Sequence, residues 1–158
     1  MTTHYDAIVI GGGQAGPALA DRLGRAGHKT ALVERHLLGG TCVNVGCIPT
    51  KTLVGSARIA HYARDAARFG VDIGAPVTVD MARVKARKDE VAGESNANVE
   101  AWVGGMENVT LIRGHARFTG KHSVDVAGKE LTADRFFINV GARARAVSYT
   151  HLRAHETI

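Results

Sequence analysis

The chain has 158 residues, 45% hydrophobic, 22% charged and 5% aromatic, with a formal net charge of +5. That length buries one core, and no apolar run reaches the roughly 18–20 residues of a membrane span, nor does a signal-peptide succession open the chain. Lys and Arg are dispersed without a nucleic-acid recognition motif, so the positive balance reads as a solvated surface suited to phosphate-bearing cofactors, and two cysteines are too few for a disulfide scaffold.

Ala7-Ile8-Val9-Ile10 is a short apolar run that predicts a buried strand. It leads into Gly11-Gly12-Gly13-Gln14-Ala15-Gly16, a G-x-G-x-x-G match, and then a small-residue helix over Ala18 to Ala26. Gly11 permits the tight turn, Gly13 lets backbone approach a pyrophosphate, and Gly16 lets helix and strand pack closely. The helix start adds N–H donors and positive dipole. A second strand, Thr30 to Val33, ends at Glu34, an acid placed to take a ribose hydroxyl. A glycine-rich turn without a ligand is the alternative. The strand, helix, second strand and terminal acid in register favour a dinucleotide site.

Both cysteines lie in Gly39-Gly40-Thr41-Cys42-Val43-Asn44-Val45-Gly46-Cys47-Ile48-Pro49-Thr50-Lys51. A helix beginning near Cys47 would favour a thiolate there through its free N–H groups and dipole. Pro49 suits a first helical turn. A second sulfur one turn away can then form or break a disulfide without rearranging the fold. Two ordinary thiols in a reducing cytosol are the alternative. The surrounding glycines, Pro49, Lys51 and the upstream fingerprint favour a redox-active pair in a cytoplasmic protein.

The helix after Lys51 is expected to run to about Arg68, with Leu53, Val54, Ile59 and Tyr62 on or near one face, until Gly70 ends it. Thr78 or Asp80 caps a second long helix through about Val103, with Met81, Val84, Val91, Val99 and Trp102 as packing positions. Its Lys85–Glu90 run reads as a solvated face. Short β segments follow: Val109–Arg113, Ala116–Phe118, Ser123–Val126, Glu130–Thr132 and Phe136–Val140. The histidines form no spacing that argues for a metal site.

The N-terminal fingerprint followed by GGTCVNVGCIPTK resembles the class I pyridine nucleotide–disulfide oxidoreductases, which include dihydrolipoamide dehydrogenase, glutathione reductase and mercuric reductase. The resemblance runs from about Tyr5 to Ala146, and the phrase Asn108–Phe118 is most similar to mercuric reductase-like members. It implies an α/β, Rossmann-like FAD-binding domain with a central parallel sheet and a small antiparallel β segment, in an incomplete fragment spanning residues 1–146. FAD would lie along Gly11, Gly13, Gln14, Ala15 and Gly16, with its ribose at Glu34. Gly40, Thr41, Cys42, Cys47 and Lys51 would stand towards the flavin. By position Cys47 resembles the thiolate that touches the flavin, Cys42 the interchange thiol that meets substrate, and Lys51 the cation beside the reactive nitrogen. His115 and Ala116 lie where relatives contact the adenine end. Asn139-Val140-Gly141 stands where relatives carry a Thr-Gly turn, and the departure at Asn139 leaves Gly141 as the expected contact.

The resemblance also implies NAD(P)H as electron donor through a domain beyond this chain, a homodimeric full-length protein, and a small-molecule or metal-ion substrate: mercuric ion, or a disulfide or dithiol such as lipoamide. The fragment alone is then expected to be inactive. Residues 147–158 leave the family pattern and read as a non-native or disordered tail. A non-catalytic FAD-binding module and an NAD-binding dehydrogenase domain with incidental cysteines are the alternative functions.

Overall fold

A computed structural model describes residues 2–142, so the tail expected over 147–158 lies outside the described residues. The elements run β1 (Thr3–Ile10), α1 (Ala15–Arg25), β2 (Thr30–Glu34), α2 (Gly40–Asn44), α3 (Cys47–Asp65), a 3-10 turn (Ala66–Phe69), α4 (Met81–Gly104), β3 (Val109–Arg113), β4 (Ala116–Gly120), β5 (Ser123–Val126) and β6 (Lys129–Ile138). One six-stranded sheet has the order β3-β2-β1-β6-β5-β4. Its β3-β2-β1-β6 part is parallel and β6-β5-β4 is antiparallel. The expected architecture is therefore present, with both β parts fused through β6.

Alternation along the strands makes two cores. Ile8, Ile10, Ala31 and Val33 face one side and pack with Val124, Val126 and Leu131. Val9 and Leu32 face the other and pack with Ala20 of α1, Leu38 and Val103 of α4. Ala20 is fully buried, and an added Cβ at Gly24 would meet the Glu107 carbonyl oxygen at 2.2 Å. Small residues thus let α1 lie close against the sheet. Capping follows local chemistry: Asp80 accepts from the N–H groups of Ala82 and Arg83 at 2.9 and 3.1 Å, and Gly70 closes the 3-10 turn at φ +75°.

Several expectations need correction. Strand β1 begins at Thr3, four residues early, because β6 supplies a parallel partner down to Thr3↔Leu131. Helix α1 begins at Ala15 rather than Ala18, since Pro17 is tolerated in a first turn. Glu130–Thr132 and Phe136–Ile138 belong to one strand, β6, which pairs with β5 at its start and with β1 from Leu131 to Ile138, and Asn139 and Val140 lie beyond its end. Gly40–Asn44 is a short helix. Leu53, Val54, Ile59 and Tyr62 are exposed, and α3 instead buries Pro49 and Thr52. Trp102 and Met81 are 43% and 64% exposed. Val99 and Val103 share the inward face of α4, which turns Trp102 outward, and Met81 is the helix's first residue.

A Cβ at Gly16 would stand 1.9 Å from the Gly11 carbonyl oxygen, whereas one at Gly13 meets nothing within 4 Å. Gly16→Ala is expected to cost about 1–3 kcal/mol of stability through overpacking against backbone. Gly13→Ala is expected to stay within about 0.5 kcal/mol of the parent. Chemical denaturation of the two variants checks this, and equal losses would contradict it.

Candidate cofactor and thiol site

A cavity of about 640 Å³ opens at the C-terminal ends of the parallel strands. Ile10 and Gly11 enter it from β1, Val33 and Glu34 from β2, Gly114 after β3, and Asn139 after β6. The crevice beyond the carboxyl ends of parallel strands is where open α/β sheets bind ligands. Of the expected cofactor residues, Gly11, Gly13, Glu34, Gly40, Thr41, His115, Ala116 and Gly141 line this cavity. Gln14, Ala15, Gly16, Cys42, Cys47 and Lys51 stand outside its wall. The structure adds Arg35, His36, Leu37, Asn44 and Val45, and brings in Asn139 and Val140 beside Gly141. Their only sequence signal is adjacency to Glu34, to the cysteines or to Gly141.

Gly11 adopts φ +108°, and a Cβ there would meet the Asn139 carbonyl oxygen at 2.3 Å. This turn aims the start of α1 at the cavity. The first turn of α1 has no side-chain cap and no acidic residue, so its N–H groups and positive dipole are free for an anion. Gly13 combines a place in the cavity wall with open space at its missing Cβ, which is the shape a closely approaching phosphate needs. Gln14 stays outside, donating from Nε2 to the Gly39 carbonyl at 3.2 Å. Gly16 is buried and serves packing.

Glu34 is half-buried, with Oε2 accepting from Gly12 N–H at 2.6 Å and Oε1 from His36 N–H at 2.7 Å. Two backbone donors thus fix the carboxylate at the cavity edge, with lone pairs left to accept from hydroxyls. The following segment is clamped in turn: Arg113 donates to the His36 carbonyl at 2.6 Å and pairs with Glu100. At the far wall, Asn139 keeps its Nδ2 buried without a partner among the described residues. An orphaned donor, an open glycine, an uncapped helix start and a fixed acid together fit the pyrophosphate and ribose of a dinucleotide.

The thiols sit beside this cavity on two helices. Cys42 is in the middle of α2 and Cys47 is the first residue of α3. Both are free thiols, Cys47 exposed and Cys42 half-buried. The two thiols are neighbours: side-chain hydrogen bonding with Cys47, with burial adding to it, raises Cys42 above the ordinary thiol range, against a smaller lowering by the Cys47 backbone. Cys42 therefore holds its proton to higher pH than an ordinary thiol. Gly46 gives the 19-residue α3 no side-chain cap, so Cys47 opens a helix whose first-turn N–H groups have no side-chain partner. Lys51 is exposed one helical turn beyond Cys47 on the same side. Among the described residues, no group of three His, Cys, Asp or Glu side chains is placed to hold a metal ion. No described helix is long and apolar enough to cross a membrane.

Comparison with known proteins agrees with this geometry. The family model described as pyridine nucleotide-disulphide oxidoreductase matches residues 5–156. A dihydrolipoyl dehydrogenase of Mycoplasma pneumoniae is 36% identical over 142 residues, covering 90% of this chain and 31% of the relative. A mercuric reductase of Lysinibacillus sphaericus is also 36% identical, over 139 residues, covering 88% of this chain and 25% of the relative. Among solved structures, the HOCl-induced flavoprotein disulfide reductase RclA from Escherichia coli superposes with TM-score 0.74 at 35% identity, covering 91% of this chain and 30% of that one. This chain thus spans about a third or less of the length of these relatives. The fold, the glycine turn and the paired thiols agree with a match over nearly the whole chain: it belongs to the pyridine nucleotide-disulphide oxidoreductase family.

Proposed function

We propose that the chain is the FAD-binding part of a reductase that passes electrons from NAD(P)H to the Cys42–Cys47 pair and on to a substrate. The observation that carries this reading is the juxtaposition of an open glycine cradle with two touching thiols at a helix start. When bound, FAD supplies the two-electron chemistry between a nicotinamide and a disulfide. Gly11, Gly13 and the start of α1 hold its pyrophosphate, and Glu34 accepts from its ribose. Gly40, Thr41, His115, Ala116 and Gly141 close the cavity around it. Contact between the thiols counts against a nicotinamide-binding domain with incidental cysteines.

Reducing the Cys42–Cys47 disulfide takes two electrons and two protons and yields the dithiol seen here. A disulfide substrate is then attacked by the Cys42 sulfur as its proton passes to the departing substrate sulfur, Cys47 closes on Cys42 with its own proton passing to the second substrate sulfur, and the substrate leaves as a dithiol. The same vicinal thiols suit a thiophilic ion, so the substrate class is a disulfide or dithiol such as lipoamide, or mercuric ion. Lys51 contributes positive charge on the face of α3 that carries Cys47. The exposed apolar side chains of α3, including Ile59 and Tyr62, supply a surface for the rest of a longer protein and for a second subunit. A cytoplasmic location suits a thiol pair that must be kept reducible.

Four outcomes are expected. Glu34→Ala should weaken FAD binding by about one to two orders of magnitude, the roughly 1.5–3 kcal/mol of a hydrogen bond to a charged group. Gly13→Val should abolish FAD binding with the far-UV spectrum retained. Calorimetric titration checks both, and parental affinity in either would remove FAD from this cavity.

In the cofactor-free reduced chain, iodoacetamide should label Cys47 ahead of Cys42 at neutral pH, because Cys42 keeps its proton to higher pH. The preference should fade as pH rises through the Cys42 titration. Peptide mass mapping reads the order, and Cys42 labelled first would contradict the assignment.

In the FAD-loaded protein, Lys51→Met should lower the flavin reduction potential with FAD affinity changed less. An unchanged potential would return Lys51 to an ordinary surface role.

A further inference from the structure

Cys42 rides on a five-residue helix, far too short to hold its own geometry in water. The ties that fix it are side-chain amides. Asn44, the last residue of α2, donates from Nδ2 to the carbonyls of Leu38 at 2.9 Å and Gly40 at 2.8 Å. Asn96 of α4 donates from its own Nδ2 to the same Leu38 carbonyl at 2.8 Å and to Asn44 Oδ1 at 3.2 Å. Leu38 is fully buried in the core beneath α4. The entry and exit of the Cys42 turn are therefore clamped together, and both are clamped to a helix more than fifty positions further along the chain.

Cys47 belongs to a different body, the start of α3, and α4 holds that one too. Arg87 donates to the Thr52 carbonyl of α3 at 3.1 Å. One helix thus grips both cysteine-bearing elements with separate side chains. Neither Asn96 nor Arg87 lies in the cysteine segment or in the cavity wall.

We propose that Asn96 is a positioning residue for the thiol pair, holding the Cys42 turn against the Cys47 helix so that the two sulfurs stay within bonding reach. The inference rests on the reading of Cys42–Cys47 as a redox couple. Closing the disulfide is an intramolecular step, so its equilibrium constant follows the effective concentration of one sulfur at the other. A turn released from α4 samples more positions, and that concentration falls. The chemistry asks for an amide in particular. Two acceptors, Leu38 O and Asn44 Oδ1, face one nitrogen that carries two hydrogens. An aspartate keeps the shape of Asn96 and presents only acceptors to both.

The test is the thiol–disulfide equilibrium of the 158-residue chain with glutathione, in which the protein dithiol and oxidised glutathione exchange with the protein disulfide and two reduced glutathiones. It is measured in native buffer and in concentrated urea for the parent, Asn96→Ala and Asn96→Asp, with thermal melting alongside. The parent constant should be higher in buffer than in urea. Both variants should lose roughly fivefold to tenfold in buffer, the worth of one to two net hydrogen bonds, and match the parent in urea. A lowered melting temperature with an unchanged constant would make Asn96 merely structural and overturn the proposal. A parental constant in Asn96→Asp would overturn the donor role, and that variant carries the test alone if Asn96→Ala fails to fold. A parent constant no higher in buffer than in urea would instead defeat the redox-couple reading itself, and the positioning role with it.

Discussion

The peptide groups of Gly11 and Gly12 join three parts of the chain that sequence keeps far apart. Gly11 N–H donates to the Val33 carbonyl at 2.8 Å, Gly12 N–H to Glu34 Oε2 at 2.6 Å, and the Gly12 carbonyl accepts from Gly39 N–H at 2.8 Å. The same turn touches β6 through the close approach of Gly11 to Asn139, and α1 through that of Gly16 to the Gly11 carbonyl. Strand ends, Glu34 and the cysteine turn are thus located relative to one another by hydrogen bonds to this backbone. Side chains at Gly11 or Gly16 would occupy the space these contacts use.

That constraint explains why one fold can place nucleotide and sulfur chemistry side by side. The dinucleotide cradle and the Cys42 turn are bonded to each other directly, through Gly12 and Gly39 and through Gln14 and Gly39. Hydrogen bonds of 2.8 and 3.2 Å tie the two together at Gly39. The second cysteine arrives as the first residue of α3. Its neighbourhood, with burial adding to it, raises Cys42 above the ordinary thiol range.

Much of this was legible because the rules are local. The fingerprint glycines, the acid ending β2, the Asp80 cap and the Gly70 stop each follow from steric or hydrogen-bonding demands within a few residues. What escaped is non-local. Strand β6 reads as two pieces because Asp134 and Arg135 interrupt its apolar pattern, yet parallel pairing with β1 carries the backbone straight through them. Helix α2 opens on Gly40 after a Gly39 cap and is too short to hold itself, and Asn44 and Asn96 tie its ends. Asn96 sits in the polar run Ser95-Asn96-Ala97-Asn98, which reads as surface. Trp102 and the apolar positions of α3 promise burial by type, but no described element covers them. The cavity wall at Arg35–Leu37 likewise depends on Arg113, nearly eighty positions away, holding the His36 carbonyl.

The central claim is that a flavin in the strand-end cavity lies against the Cys47 sulfur. Long-wavelength absorbance of a thiolate–flavin contact tests it most directly, recorded on FAD-loaded protein after stoichiometric reduction of the thiol pair. The account predicts the band in the parent and in Cys42→Ser, and its loss in Cys47→Ser. A band that survives in Cys47→Ser, or FAD bound with no band in the parent, would contradict it.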